Sequence, residues 1–156
     1  MKLTFCVPGV AHAWSRTRHA FDPATGRTRH FNTAPMTDYG HRVATAAALA
    51  AKAQGWRMVP QGVPVTLAVT AYLPIPASTP KRKALEMVGQ KHASKPDLEN
   101  VAYKLIADVL QKPDGKRPRA GVIFDDGQIS DGEIRKRWCR RGEERVEVTL
   151  TTEVTA

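Results

Sequence analysis

The sequence predicts an α+β fold: a single small domain over 1–156 in which a mixed or antiparallel sheet carries about three helices packed on it. Three observations carry that expectation. A chain of 156 residues has room for one core, and 42% hydrophobic with 25% charged side chains is an ordinary globular composition, unlike that of a disordered tail, a collagen-like repeat or a coiled coil. Short segments of strand formers are interspersed with segments whose apolar residues recur at helical spacing. The breaks between them carry Pro, Gly and Asp, the residues that turns and helix ends need.

Leu3 to Val7 is a run of strand formers stopped by Pro8-Gly9. Thr17 to Phe21 and Arg27 to Phe31 flank the turn sequence Asp22-Pro23-Ala24-Thr25-Gly26, which predicts a basic hairpin. Thr37 as N-cap, Asp38 in the first turn and Gly55 after Gln54 bound an alanine-rich helix. Val65 to Tyr72 alternates as a strand with one face on the core, entered at Pro64 and left through Pro74 to Pro76. Thr79-Pro80 and Gly89 bound a short helix with Lys81, Arg82 and Lys83 in its first turn, where they oppose the helix dipole; a nearby phosphate backbone or plain solvation would relieve them.

Apolar side chains at Leu98, Val101, Ala102, Leu105, Ile106, Val109 and Leu110 predict a helix over 98–110, with Asp97, Asn100, Lys104 and Asp108 aligned along its polar side. A Pro/Gly/Lys/Arg loop follows over 111–120. Gly121 to Phe124 then reads as a strand ending in Asp125-Asp126-Gly127, and 128–138 and 145–152 as two antiparallel strands joined by Arg140-Arg141-Gly142-Glu143.

The charge is +9, from 24 Lys+Arg against 15 Asp+Glu. Such an excess predicts a polyanionic partner, most commonly nucleic acid. Residues 1–80 hold 8 basic and 2 acidic side chains, whereas 81–156 hold 16 and 13, so metal or acid/base chemistry belongs in the second half. Cys6 and Cys139 stand outside any ligand spacing and read as reduced, packed thiols. The start imitates a signal peptide but is short and broken by Pro8-Gly9, and the alanine-rich stretch 43–51 is about half a membrane span, so the expected location is cytoplasmic.

Two acidic clusters stand out at element ends: Lys95-Pro96-Asp97-Leu98-Glu99-Asn100 and Asp125-Asp126-Gly127-Gln128. Paired carboxylates in so basic a chain suit a hard divalent cation. Mg²⁺ fits best, because it takes one or two carboxylates and leaves positions for water and phosphate oxygens. The same residues also suit a helix cap and an Asp-Asp-Gly turn, and the pattern alone leaves both readings open.

Lys95-Pro96-Asp97-x-Glu99-Asn100, Lys104 and Asp108 beyond it, Asp125-Asp126-x-Gln128-Ile129 and a basic strand with Lys136 together resemble the RusA family of Holliday junction resolvases. The first strand ending in Val7-Pro8-Gly9, the Arg-rich segment after it and the stretch from Pro76 to Lys83 resemble that family's layout too. The resemblance spans residues 3 to about 150. It implies a small α+β homodimer, a magnesium-dependent endonuclease and structure-selective cleavage of four-way DNA junctions. Asp97, Glu99 and Asp126, with Asp125 adjacent, match the family's metal-binding acids, and Lys104 its active-site lysine. There are two departures: Glu99 stands where the family usually has Asp, and Lys104 lies four residues after Asn100 rather than three. The loop from Lys112 to Arg119 is longer and more basic than the family minimum.

Arg16, Arg18, Arg27 and Arg29 of the hairpin region, with Lys81, Lys83, Lys95, Asn100 and Lys136, are the expected DNA contacts. Four of the five histidines precede residue 42 without the compact spacing of a zinc site. Trp14, Trp56 and Trp138 suit either stacking on unpaired bases or core packing, with packing expected for at least two of them. The competing functions are a non-catalytic basic DNA-binding module and a related metal nuclease acting on forks, flaps or RNA.

Overall fold

The computed structural model describes residues 1–12, 18–31, 33–95 and 102–153, with side chains at all of these except 18, 19 and 29–31. Its sheet is built from β1 (Lys2–Pro8), β4 (Val65–Pro74), β5 (Ile129–Cys139) and β6 (Arg145–Thr151) in the order β1-β6-β4-β5. β6 runs antiparallel to both β1 and β4, while β4 and β5 are parallel. β2 (Arg18–Asp22) and β3 (Arg27–Phe31) form a separate antiparallel pair, as the turn sequence predicts. Asp22 closes that turn: its carboxylate accepts from Ala24 N at 3.0 Å and Thr25 Oγ1 at 2.9 Å, and its carbonyl accepts from Gly26 N.

Alternation decides which face of the sheet is covered. Leu3, Phe5 and Val7 of β1, Val65, Leu67, Val69 and Ala71 of β4, and Val146, Val148 and Leu150 of β6 are all buried on one side. Two helices cover that side. α1 (Ala34–Ala53) contributes Met36, Tyr39, Val43 and Ala47, and α3 (Tyr103–Leu110) contributes Leu105, Ile106, Val109 and Leu110. Burying a branched side chain such as Leu67 stabilises by roughly 1.5–3 kcal/mol, so these stripes hold the two layers together. The edge formed by β1 is met by Gln54, whose amide pairs with the backbone N and O of Thr4 at 3.1 and 2.7 Å.

Several sequence expectations need correction. α1 begins earlier than a Thr37 cap implies, because Pro35 occupies its first turn, where a missing N–H costs nothing; the Thr37 hydroxyl instead donates to the Thr33 carbonyl. It does stop as expected, at Gly55 with φ 65°. The three helices expected are present among the described residues, α2 (Lys81–Met87) following Pro80 and burying no residue. α3 begins at Tyr103, after Ala102 in the left-handed region at φ 63° and ψ −4°; the part of the expected helix over 98–101 lies outside the described residues. The strand expected at 121–124 is a single parallel bridge between Ile123 and Val59. β5 and β6 form no hairpin, since β4 lies between them. Cys6 is on the exposed face of the sheet, while Cys139 is buried.

Candidate metal centre and nucleic-acid interface

The Asp125-Asp126 turn is built by a capping box. Asp125 Oδ1 accepts from Gly127 N at 2.8 Å, while Gln128 Oε1 accepts from the backbone N of Phe124 and of Asp125, both at 2.9 Å. The Gln128 amide also donates to the carbonyls of Pro60 and Val63 at 2.6 and 2.8 Å, so this one buried side chain fastens the turn to the loop before β4. Asp125 thus serves as the cap that the sequence left open as its second reading. Asp126, first residue of the single 3₁₀ turn Asp126–Gln128, has an exposed side chain.

α3 packs against this turn. Tyr103 at its start lies over β5 at Gly132, where a β-carbon would meet the Tyr103 hydroxyl and the ring would have to shift. Lys104 is exposed and Asp108, one turn further on, is half-buried. Burial first, and then the Asp126 carboxylate, raise the pKa of Asp108, while Arg119, Lys104 and Arg117 act to lower it. The Asp126 carboxylate is therefore close enough to disfavour the charged form of Asp108, with cations around them. Asp108 is a member of this site that the sequence placed in the right stripe without assigning it a role.

The 111–121 loop is tied down at both ends. Ala120 N, Gly121 N and Val122 N donate to the carbonyls of Val109, Gln111 and Leu110, and Asp114 Oδ1 accepts from the backbone N of Lys116 and Arg117. Pro118 rests on Gly40 of α1, at a distance where an added β-carbon would press on it at 3.0 Å. Arg119 reaches back to donate to the Asp108 carbonyl.

A second arrangement leads toward the other acidic cluster. Residues 89–95 lie along the open edge of β5: Gly89 N donates to Trp138 O, Trp138 N to Gln90 O and His92 N to Lys136 O. His92 is buried with its ring 3.8 Å from that of Trp138, and Lys136 Nζ donates to Ser94 O at 2.6 Å. Lys136, expected as a DNA contact, thus also fastens the segment that precedes Asp97. Trp56 is buried too, with its indole N–H on Val122 O, so both described tryptophans pack against protein.

Arg16, Asp97, Glu99 and Asn100 lie outside the described residues, as does Trp14. Arg18 and Arg29 stand on the hairpin strands, Arg27 beside its turn with an exposed side chain, and Lys81, Lys83 and Lys95 are exposed. Among the described residues no group of three His, Cys, Asp or Glu side chains is assembled that could hold a metal.

The family model for Endodeoxyribonuclease RusA matches residues 10–151 of the 156. The chain belongs to the RusA endodeoxyribonuclease family. It is an endodeoxyribonuclease of the Holliday junction resolvase class, and nucleases of this family are typically dependent on a divalent metal. No curated protein matches the chain. The match takes in the basic hairpin, the acidic turn, α3 and the loop beyond it, while the first strand ending in Val7-Pro8-Gly9 lies just before its start. No helix among the described residues is long and apolar enough to cross a membrane.

Proposed function

We propose that the chain is a Mg²⁺-dependent, structure-selective endodeoxyribonuclease that resolves four-way junctions by paired symmetrical nicks in DNA recombination and repair. It acts in the cytoplasm as a homodimer of one RusA-like domain over 1–156, whose two-fold symmetry matches the junction. The observation that carries this reading is the approach of α3 to the Asp125–Gln128 turn, which brings Asp126, Asp108 and Lys104 to one place.

The donor set suits a hard cation. The Asp126 carboxylate adds to burial in disfavouring the charged form of Asp108, and a divalent ion beside them would relieve that. Asp97, Glu99 and Asp126 would hold it, with Asp125 adjacent. When bound, Mg²⁺ supplies Lewis acidity and lowers the pKa of a water near the scissile phosphate. Lys104 places positive charge at that phosphate or at the leaving oxygen. Arg16, Arg18, Arg27, Arg29, Lys81, Lys83, Lys95, Asn100 and Lys136 grip the backbone, with Lys136 also steadying the segment before Asp97.

Cleavage of a synthetic four-way junction tests the proposal. Symmetrical nicks that require Mg²⁺ and fall about a hundredfold or more in Asp126→Asn, with junction affinity kept, are expected. Binding without nicking at any divalent ion concentration would overturn it. Faster cutting of forks, flaps or RNA in the same assay would replace its substrate, and sedimentation as a monomer on DNA would remove the dimer.

A further inference from the structure

A cleft of about 190 Å³ opens between α1 and α3 under the 111–121 loop. Among the described residues its polar lining comes from Thr37, Lys104, Asp108, Arg117 and Arg119, three cations against one acid. Arg119 is the informative member. Its side chain is only 11% exposed, and its Nη1 is taken up by the Asp108 carbonyl. The carboxylate it pairs with among the described residues is that of Asp114, a long 3.7 Å from Nη2 and itself 38% exposed. The other oxygen of that carboxylate already accepts two backbone N–H bonds, from Lys116 and Arg117. Nε is buried with no acceptor among the described residues. A guanidinium enclosed to this degree is ordinarily neutralised by a close, bidentate anion. Among the described residues its charge is only partly balanced, beside two further cations in a concave surface.

We propose that this cleft is an anion site that takes a backbone phosphate of the nucleic acid, next to the phosphate held at the acidic pair. Arg117 makes the contact, and Arg119 is the fixed charge behind it. Asp108 is where the cleft and the acidic pair adjoin, since it lines the first and is coupled to Asp126 of the second. The exposed Lys112 and Lys116 on the same loop continue the positive surface outward, which favours a polyanion over an isolated small acid. This gives a role to the long basic loop that the metal chemistry does not use. The inference rests on the nuclease reading for its ligand, but it is tested by binding rather than by cutting.

Arg117 is exposed, so its side chain can be removed without emptying the core. The expected result for Arg117→Ala in the full chain, with Ca²⁺ in place of Mg²⁺, is a log-log salt dependence of junction binding shallower by about one unit. Arg117→Lys restores the slope. Inorganic phosphate added at constant ionic strength weakens junction binding by the wild type and leaves Arg117→Ala less affected. An unchanged slope in Arg117→Ala, or equal weakening of both proteins by phosphate, overturns the site. Failure of the wild type to nick any DNA would sink the nuclease reading, whereas the salt slope reads the cleft either way.

Discussion

Gln128 makes four hydrogen bonds from one side chain, and the position of Asp126 depends on all of them. Gln128→Ala would leave two backbone N–H groups and two carbonyls without their partners. The expected cost is about 2–3 kcal/mol in urea unfolding, with Mg²⁺-dependent nicking reduced about 10–100-fold, as for other residues that orient metal ligands. Unchanged unfolding and nicking would show that the turn holds itself. The sequence displays Asp125, Asp126 and Gln128 as neighbours, so the turn and its cap can be read directly. It does not display the partnership of Asp126 with Asp108, which comes from the packing of α3 on a turn that spacing along the chain does not encode. The enclosure of Arg119 is hidden in the same way, because a basic loop reads as solvated until its ends are seen bonded to α3.

Among the elements, β5 explains both the main misreading of the sheet and the placement of the site. The turn chemistry at 140–144 suits a hairpin, yet five residues also span the roughly 10 Å across one intervening strand. β4 takes the interior position because its inward residues are all apolar, whereas Asp131, Glu133, Arg135 and Arg137 suit β5 to an edge. Part of that edge is then covered by residues 89–95, through His92 and Lys136. Burial, followed by the Lys136 ammonium, holds His92 below its ordinary value of 6.5. The folded chain therefore favours neutral imidazole. Above that ordinary value both folded and unfolded chains hold it neutral and its docking contributes in full; as pH falls below it, the unfolded chain takes up a proton that the folded chain resists, and the contribution is lost on the way down to the folded value. Urea unfolding of wild type and His92→Phe, which keeps a ring on Trp138, should give a stability difference that narrows from about pH 8 to about pH 5. A difference constant across that range would show that folded and unfolded chains take up the His92 proton equally, so that docking does not disfavour the charged imidazole.

For the molecule as a whole, a charge of +9 and a centre of carboxylates are two parts of one arrangement. The sheet and its two helices put the acidic turn beside α3, and the cations of the hairpin, α2 and the 111–121 loop lie on separate elements around that core. On the proposed reading, binding and cutting draw on different residues and should respond differently to ionic strength. If the grip engages about six phosphates, junction affinity should fall about 10³-fold between about 50 and 200 mM salt, because each neutralised phosphate releases condensed counterions. The nicking rate at saturating protein should change far less, because the carboxylates and Lys104 act at short range, within the roughly 10 Å over which salt screens charge. Measuring both quantities on one four-way junction separates the two parts. A loss of affinity below about tenfold would mean that most of the excess charge keeps the protein in solution rather than holding DNA. A nicking rate at saturation that falls in step with affinity would mean that distant cations take part in the chemistry.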